Sequence, residues 1–351
     1  MTSIKTGSKG QRALKRLSAG FLSTVVAVGL TGCDSLLDVE NPNNVVQEDL
    51  ESASAVNAVV NGTLALTSSA IGDVVVSTGA LSDELQHTGS QNWAAELDVG
   101  SITNPAGRSD ALFNGLAEAT WMAEEAIRMA TSFSAPAADL NRANLYSGIL
   151  HLTIADNFED FAFSNRTEVG APVGEANMNS VYTTAIARLA AAASGGGALG
   201  LQARAAQARA EWAAALWPLM QTGTAPASDA AALINDPEAN ALAAAVLADP
   251  LLTTDWAFSL DFDPTTTSNP MGSWINSREE FVIASVYATT DGSGKAVALD
   301  TGDRDGDGDT SEVDVVLLDP VTGLPDQAVQ EIITDFTDDF LYPDVKITTA
   351  K

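Results

Sequence analysis

The chain of 351 residues has only one cysteine, Cys33, and two histidines, His87 and His151. A lone thiol excludes an intramolecular disulfide, and with no second cysteine beside the histidines the usual zinc sets are absent. His87 and His151 are therefore read as ordinary polar or packing residues. Basic residues are scarce too, 17 against 46 acids for a net charge of −29. An excess of this sign repels phosphate backbones and argues against a nucleic-acid partner. Acidity alone names no function, since it also keeps an exported protein soluble. Catalytic signatures are missing as well. There is no Gly-x-Ser-x-Gly elbow, and no glycine-rich loop closes on Gly-Lys-Ser/Thr. "ASGGGALG" is glycine-rich, but it follows a helical pattern instead of opening one, which makes it a linker or a helix stop. The chain reads as a non-enzyme.

Long hydrophobic runs are also wanting. "LSAGFLSTVVAVGL", Leu17 to Leu30, falls short of the roughly 20 residues a spanning helix needs, and no later segment is expected to span. Its setting explains it. All the charge in the first 32 residues is positive, on Lys5, Lys9, Arg12, Lys15 and Arg16, so the run has the basic flank of an export signal. Leu30-Thr31-Gly32-Cys33 then resembles a bacterial lipobox, whose small residues fit the signal peptidase and whose thiol takes up diacylglycerol. A buried free cysteine, or a chance cysteine after an ordinary signal, is the plainer alternative. The coincidence of basic flank, apolar run, small-residue box and polar sequel favours lipidation. We expect residues 1–32 to be a lipoprotein signal peptide and residues 33–45 a lipidated tether. Asp34 bears on which membrane receives the anchor and does not decide it.

What is present in quantity is alanine, in a chain that is 46% apolar with only 6% aromatics. Alanine favours helix and lets helices approach closely. Helical spacing runs through Val46, Leu50, Ala53, Val56, Val59 and Val60, then Leu112 to Ile127, then Leu145, Ile149 and Leu152. A fourth helix is expected from Asn179 or Ser180, both good N-caps, to the Gly195–Gly197 stop. A fifth, "LQARAAQARAEWAAALW", should end at Pro218. The expected fold is mainly α, with tetratricopeptide-like antiparallel helical pairs, irregular loops and a few short strands in the C-terminal part. "DWAFSLDF", "EEFVIASVYATT", "KAVALD" and "EVDVVLLD" are the candidate strands, "FVIASVY" also fitting a buried helix. A last helix is expected over Asp326 to Phe340.

Several stretches together resemble the SusD/RagB family of nutrient-binding outer-membrane lipoproteins. They are Cys33 with "DSLLDVENPNNVVQEDL", "ASAVNAVVNGTLAL", "NRANLYSGILHLTIADNFEDFAF" and "SVYTTAIARLAAAAS". Glu159-Asp160-Phe161 departs from the family's glycine-aspartate-proline turn. The resemblance covers much of Cys33 to Leu216 and is weak beyond Leu251. It implies one helical domain over residues 46–351, incomplete at its C-terminus because family members continue into another helical pair. It also implies a lipid-anchored outer-membrane protein that captures oligosaccharide or peptide nutrients for a SusC-like, TonB-dependent transporter. A helical-repeat adaptor or assembly lipoprotein that binds protein partners is the alternative.

Two candidate sites remain. "DRDGDGDTSEVD" places Asp303, Asp305, Asp307, Ser311 and Asp314 at positions one, three, five, nine and twelve of a calcium loop, with Gly308 at the sharp turn. Asp314 stands where a bidentate glutamate is usual, and an acidic solvated turn is the equal alternative, so Ca2+ is a candidate cofactor. Sugar capture needs an exposed aromatic face flanked by hydrogen-bonding groups. Trp93 in "GSQNWAAE" and Trp274 in "NPMGSWINSRE" have polar, loop-like surroundings and are the candidate ligand contacts. Trp121, Trp212 and Trp217 are expected in the core of alanine-rich helices, and Trp256 in strand packing.

Overall fold

Valine and threonine are indifferent helix formers, yet they supply about a third of the first described helix, α1 (Val56–Leu81). Tertiary packing supports it: Val56, Val60, Thr63, Thr67, Val76 and Ala80 are all buried. Three of its hydroxyls bond its own backbone, Thr63 Oγ1 donating to Val59 O, Ser77 Oγ to Asp73 O and Thr78 Oγ1 to Val74 O. The computed structural model describes residues 51–102, 107–165, 168–221, 235–253, 256–260, 262, 267–278 and 280–283. After α1 come β1 (Leu85–His87), α2 (Asn92–Asp98), α3 (Arg108–Ser132), α4 (Ala137–Asn157), α5 (Asn179–Ala193), α6 (Gly197–Gln221) and α7 (Pro237–Leu247). A one-turn helix, Pro270–Gly272, runs into a π-helical turn, Ser273–Ser277, and then β2 (Phe281–Ile283).

Successive long helices pack antiparallel. Along α1 and α3, Thr63 donates to Met122 O, a Cβ on Gly115 would lie 3.9 Å from Ala70 Cβ, and Arg108 reaches Ser77. Between α3 and α4, Phe113 near one end meets Phe158 just past the other, while Ser147 bonds Glu124 midway. Along α4 and α5, Asn141 meets Gly195, Gly148 meets Leu189, and Asp156 accepts from the Tyr182 hydroxyl at 3.0 Å. Tyr182 also touches Trp217 of α6, whose other end lies against Ala193, and Arg204 of α6 pairs with Asp249 just beyond α7. This mainly α arrangement of antiparallel helical pairs has the expected class. The only sheet among the described residues is the antiparallel pair β1–β2, with Leu85 opposite Ile283 and His87 opposite Phe281.

Several expectations need correction. Residues 51–55 form turns closed by Ala55 N donating to Ser52 O, so Ala53 lies outside a helix and α1 begins at Val56; the part of the expected helix from Val46 to Leu50 lies outside the described residues. Neither Asn179 nor Ser180 is an N-cap. A 3-10 turn, Glu175–Asn177, feeds the chain into α5 through Met178, and Asn179 Oδ1 is buried without a partner. Pro218 does not end α6, which continues to Gln221. Pro218 lacks the N–H that would donate to the carbonyl of Ala214, so the helix runs past it with one rung of its ladder missing. No strand occurs at residues 256–260 of "DWAFSLDF", whereas the described residues of "FVIASVY", Phe281–Ile283, form β2 as expected. By length and composition α1 could cross a membrane, contrary to the expectation for segments past the leader. Its neighbours α3 and α4 cover it as they would a core helix. The expected signal peptide and tether, Cys33, the Asp303–Asp314 loop, "KAVALD", "EVDVVLLD" and the expected helix over Asp326 to Phe340 lie outside the described residues.

Candidate ligand-binding site

The loop between β1 and α2 wraps one side chain. Thr88 N and Gly89 N donate to Glu280 O at 3.0 and 3.4 Å, and Ser90 N and Gln91 N each donate to its carboxylate at 2.8 Å. Four successive amides thus converge on Glu280, which is 4% exposed. These include donors that the start of α2 leaves open, and a carboxylate is well suited to accept them. Gly89 is required by the approach, because a Cβ there would stand 2.2 Å from Glu280 Oε2 and 2.7 Å from its Cα. His87 Nε2 faces the same carboxylate at 3.6 Å.

This clasp sets the relation between Trp93, at the start of α2, and Trp274, on the π-helical turn. Glu280 N donates to Trp274 O at 2.9 Å, and Phe281, fully buried, touches Trp93 with ring centroids 5.7 Å apart. The two indoles meet edge to face at 4.9 Å and 82° over a core of Val76, Leu85, Leu97, Ile275 and Phe281. Both remain half-buried. Pro270 seats the turn on α1 at Gly72, where a Cβ would come within 2.8 Å of the proline ring.

Two guanidinium groups cover the indoles. Arg108 Cζ lies 4.3 Å from the Trp93 centroid and Arg278 Cζ 4.6 Å from that of Trp274, both within cation–π range. Arg108 is locked by donating to Ser77 Oγ, to Asp73 O and to Asp73 Oδ1, the last at 2.8 Å. Asp73 Oδ1 also accepts from Trp274 Nε1 at 3.4 Å, so one carboxylate orients a guanidinium and an indole. The structure therefore brings together two sequence-predicted residues, although neither sits in a loop: each is on a short helical turn held against the core. Asp73, Arg108, Arg278 and Glu280 were not anticipated. A signal for the arginines existed in the scarcity of basic residues past Cys33.

The remaining candidates lie elsewhere. His151 is 6% exposed and stacks on Phe163 at 5.2 Å and 22°. Its Nδ1–H donates to Ser147 O at 2.8 Å, and Ser147 Oγ donates to Glu124 Oε1, whose partner oxygen pairs with Arg188. Burial chiefly holds the His151 imidazole below its usual pKa, helped by the Arg188 charge and opposed by the Ser147 bond and Glu124. The serine donates to the glutamate and not to the imidazole, so the group is a buried polar lock in a packing role. Trp121 and Trp217 are half-buried, but Trp212 is 38% exposed, correcting its placement in the core. Among the described residues no cluster of three or more His, Cys, Asp or Glu is arranged to hold a metal ion.

The chain matches no protein-family model and no curated protein. It is similar to the solved structure of a SusD superfamily protein from Bacteroides vulgatus ATCC 8482, with 16% identity and a TM-score of 0.38 over 50% of this chain and 44% of that one. The match thus spans less than half of that protein's length.

Proposed function

We propose that this is a lipid-anchored binding protein of the SusD/RagB kind, which captures an oligosaccharide or peptide nutrient at the outer membrane and passes it to a SusC-like, TonB-dependent transporter. The observation that carries the binding role is the convergence of Trp93 and Trp274 into one half-buried aromatic pair, flanked by the polar groups of Asp73, Arg108 and Arg278. Such a pair supplies apolar ring surface with hydrogen-bonding neighbours already oriented. The anchoring role is carried by the export signal and lipobox ending at Cys33. The Asp303–Asp314 loop is proposed as a calcium site, tested by whether the chain gives binding heat at millimolar calcium.

The test of the binding reading is tryptophan fluorescence of the full chain in detergent, titrated with a panel of oligosaccharides and peptides. Trp274→Ala is expected to weaken the responding ligand about tenfold or more, in keeping with the loss of an aromatic contact and its burial. Trp212→Ala, which alters an exposed tryptophan elsewhere, should leave affinity unchanged. A ligand bound equally well by wild type and Trp274→Ala overturns the site. Co-purification separates the adaptor reading: a β-barrel transporter partner supports capture, and an assembly-machinery partner without ligand binding supports the adaptor.

A further inference from the structure

The two arginines at the tryptophan pair are not equivalent. Arg108 is 10% exposed, and its donors are engaged by Ser77 and by both the carbonyl and the carboxylate of Asp73. It fixes Trp93 and neutralises the acid beneath. Arg278 is exposed, lies over Trp274, and has no acidic partner among the described residues. The other ion-paired arginines among those residues, Arg128, Arg142, Arg188, Arg204 and Arg209, each hold a carboxylate. In a chain of net charge −29, an arginine beside an aromatic pair with no ion-paired acid on it among the described residues stands out.

A guanidinium held over an indole keeps its N–H donors in a planar fork that matches a carboxylate. The indole below is itself held, its Nε1–H donating to Asp73 and its edge meeting Trp93. The fork therefore stands on an ordered base, which lowers the cost of fixing it on binding. We infer that, within the ligand-binding reading above, this site takes a carboxylate-bearing ligand. Arg278 grips the carboxylate through paired N–H···O bonds, and the exposed remainder of the two indoles packs on the ligand's carbon skeleton. Arg108 and Asp73 are positioning residues that keep the indoles in place.

A carboxylate of this kind is carried by an acidic sugar or by a peptide C-terminus, and calorimetry on the full chain in detergent distinguishes them. The probes are trigalacturonate against maltotriose, and tri-alanine against its C-terminal amide. The acid member of one pair is expected to bind about tenfold or more tighter than its neutral counterpart, the range of a charge-assisted contact. Arg278→Gln should close that gap, and Arg278→Lys, which keeps charge without the fork, should restore part of it. Far-UV circular dichroism of both variants should match wild type. A neutral probe bound as tightly as its acid, or a gap untouched by Arg278→Gln, overturns the inference while leaving the ligand-binding reading standing. Absence of heat with all four probes overturns both.

Discussion

His151 shows how a polar side chain is kept in an α-helical interior. On α4 its imidazole has Phe163 on one face and a carbonyl four residues back as its acceptor, while the charged groups nearest it are Glu124 of α3 and Arg188 of α5. Burial, the largest influence, lowers its pKa in the folded chain. The unfolded chain therefore binds a proton first as pH falls below the ordinary histidine value of about 6.5. Stability is fully present above that value and is lost as pH falls through the interval down to the folded pKa. The melting temperature should consequently decline as pH falls below about 6.5. In His151→Gln, which keeps a polar side chain without the titration, the slope should be shallower. Equal slopes in the two proteins would assign the decline to other groups.

The spacing of helices is set by small residues at particular crossings. Gly148 lies where α4 meets α5, and a Cβ there would stand 2.5 Å from Leu189 Cγ and 3.2 Å from Ala185 O. Gly62 on α1 faces open space within 4 Å. The same substitution should then have opposite signs. Gly62→Ala is expected to stabilise by about 0.5–1 kcal/mol through helix propensity and the less flexible unfolded chain. Gly148→Ala is expected to destabilise by about 1–3 kcal/mol through overpacking. Urea midpoints measure both, and a stabilised Gly148→Ala would mean that α4 and α5 part freely. The helices themselves were legible because their apolar positions recur over several turns, as along Leu112 to Ile127. Their ends were less so. Pro218 and Asn179 carry strong local signals, but α6 runs past the first and the second follows a 3-10 turn that has begun the winding. The strand pair was half legible: Phe281–Ile283 has an extended-segment pattern, whereas Leu85–His87 is held by its distant partner and by the clasp on Glu280. Trp93 and Trp274 were singled out by their polar neighbours, but nothing in the spacing of "GSQNWAAE" and "NPMGSWINSRE" tells that the two indoles touch.

At the scale of the whole chain the dominant quantity is charge. Arginine pairs such as Arg128–Glu51 and Arg188–Glu124 use a small share of the 46 acids, and the rest leave a net charge of −29. Exposed pairs of this type contribute roughly 0–1 kcal/mol each, so screening them costs little. Repulsion among the excess carboxylates acts over distances set by the Debye length, about 30 Å at 0.01 M salt and about 3 Å at 1 M. Self-repulsion of this kind destabilises the compact state. Raising sodium chloride across that range should therefore raise the melting temperature, with most of the gain at the low-salt end where screening length changes fastest. Differential scanning calorimetry in sodium chloride at fixed pH measures it. A melting temperature that falls with salt would show that the ion pairs outweigh the repulsion, and that the acidic surface is balanced closer to home than its net charge implies.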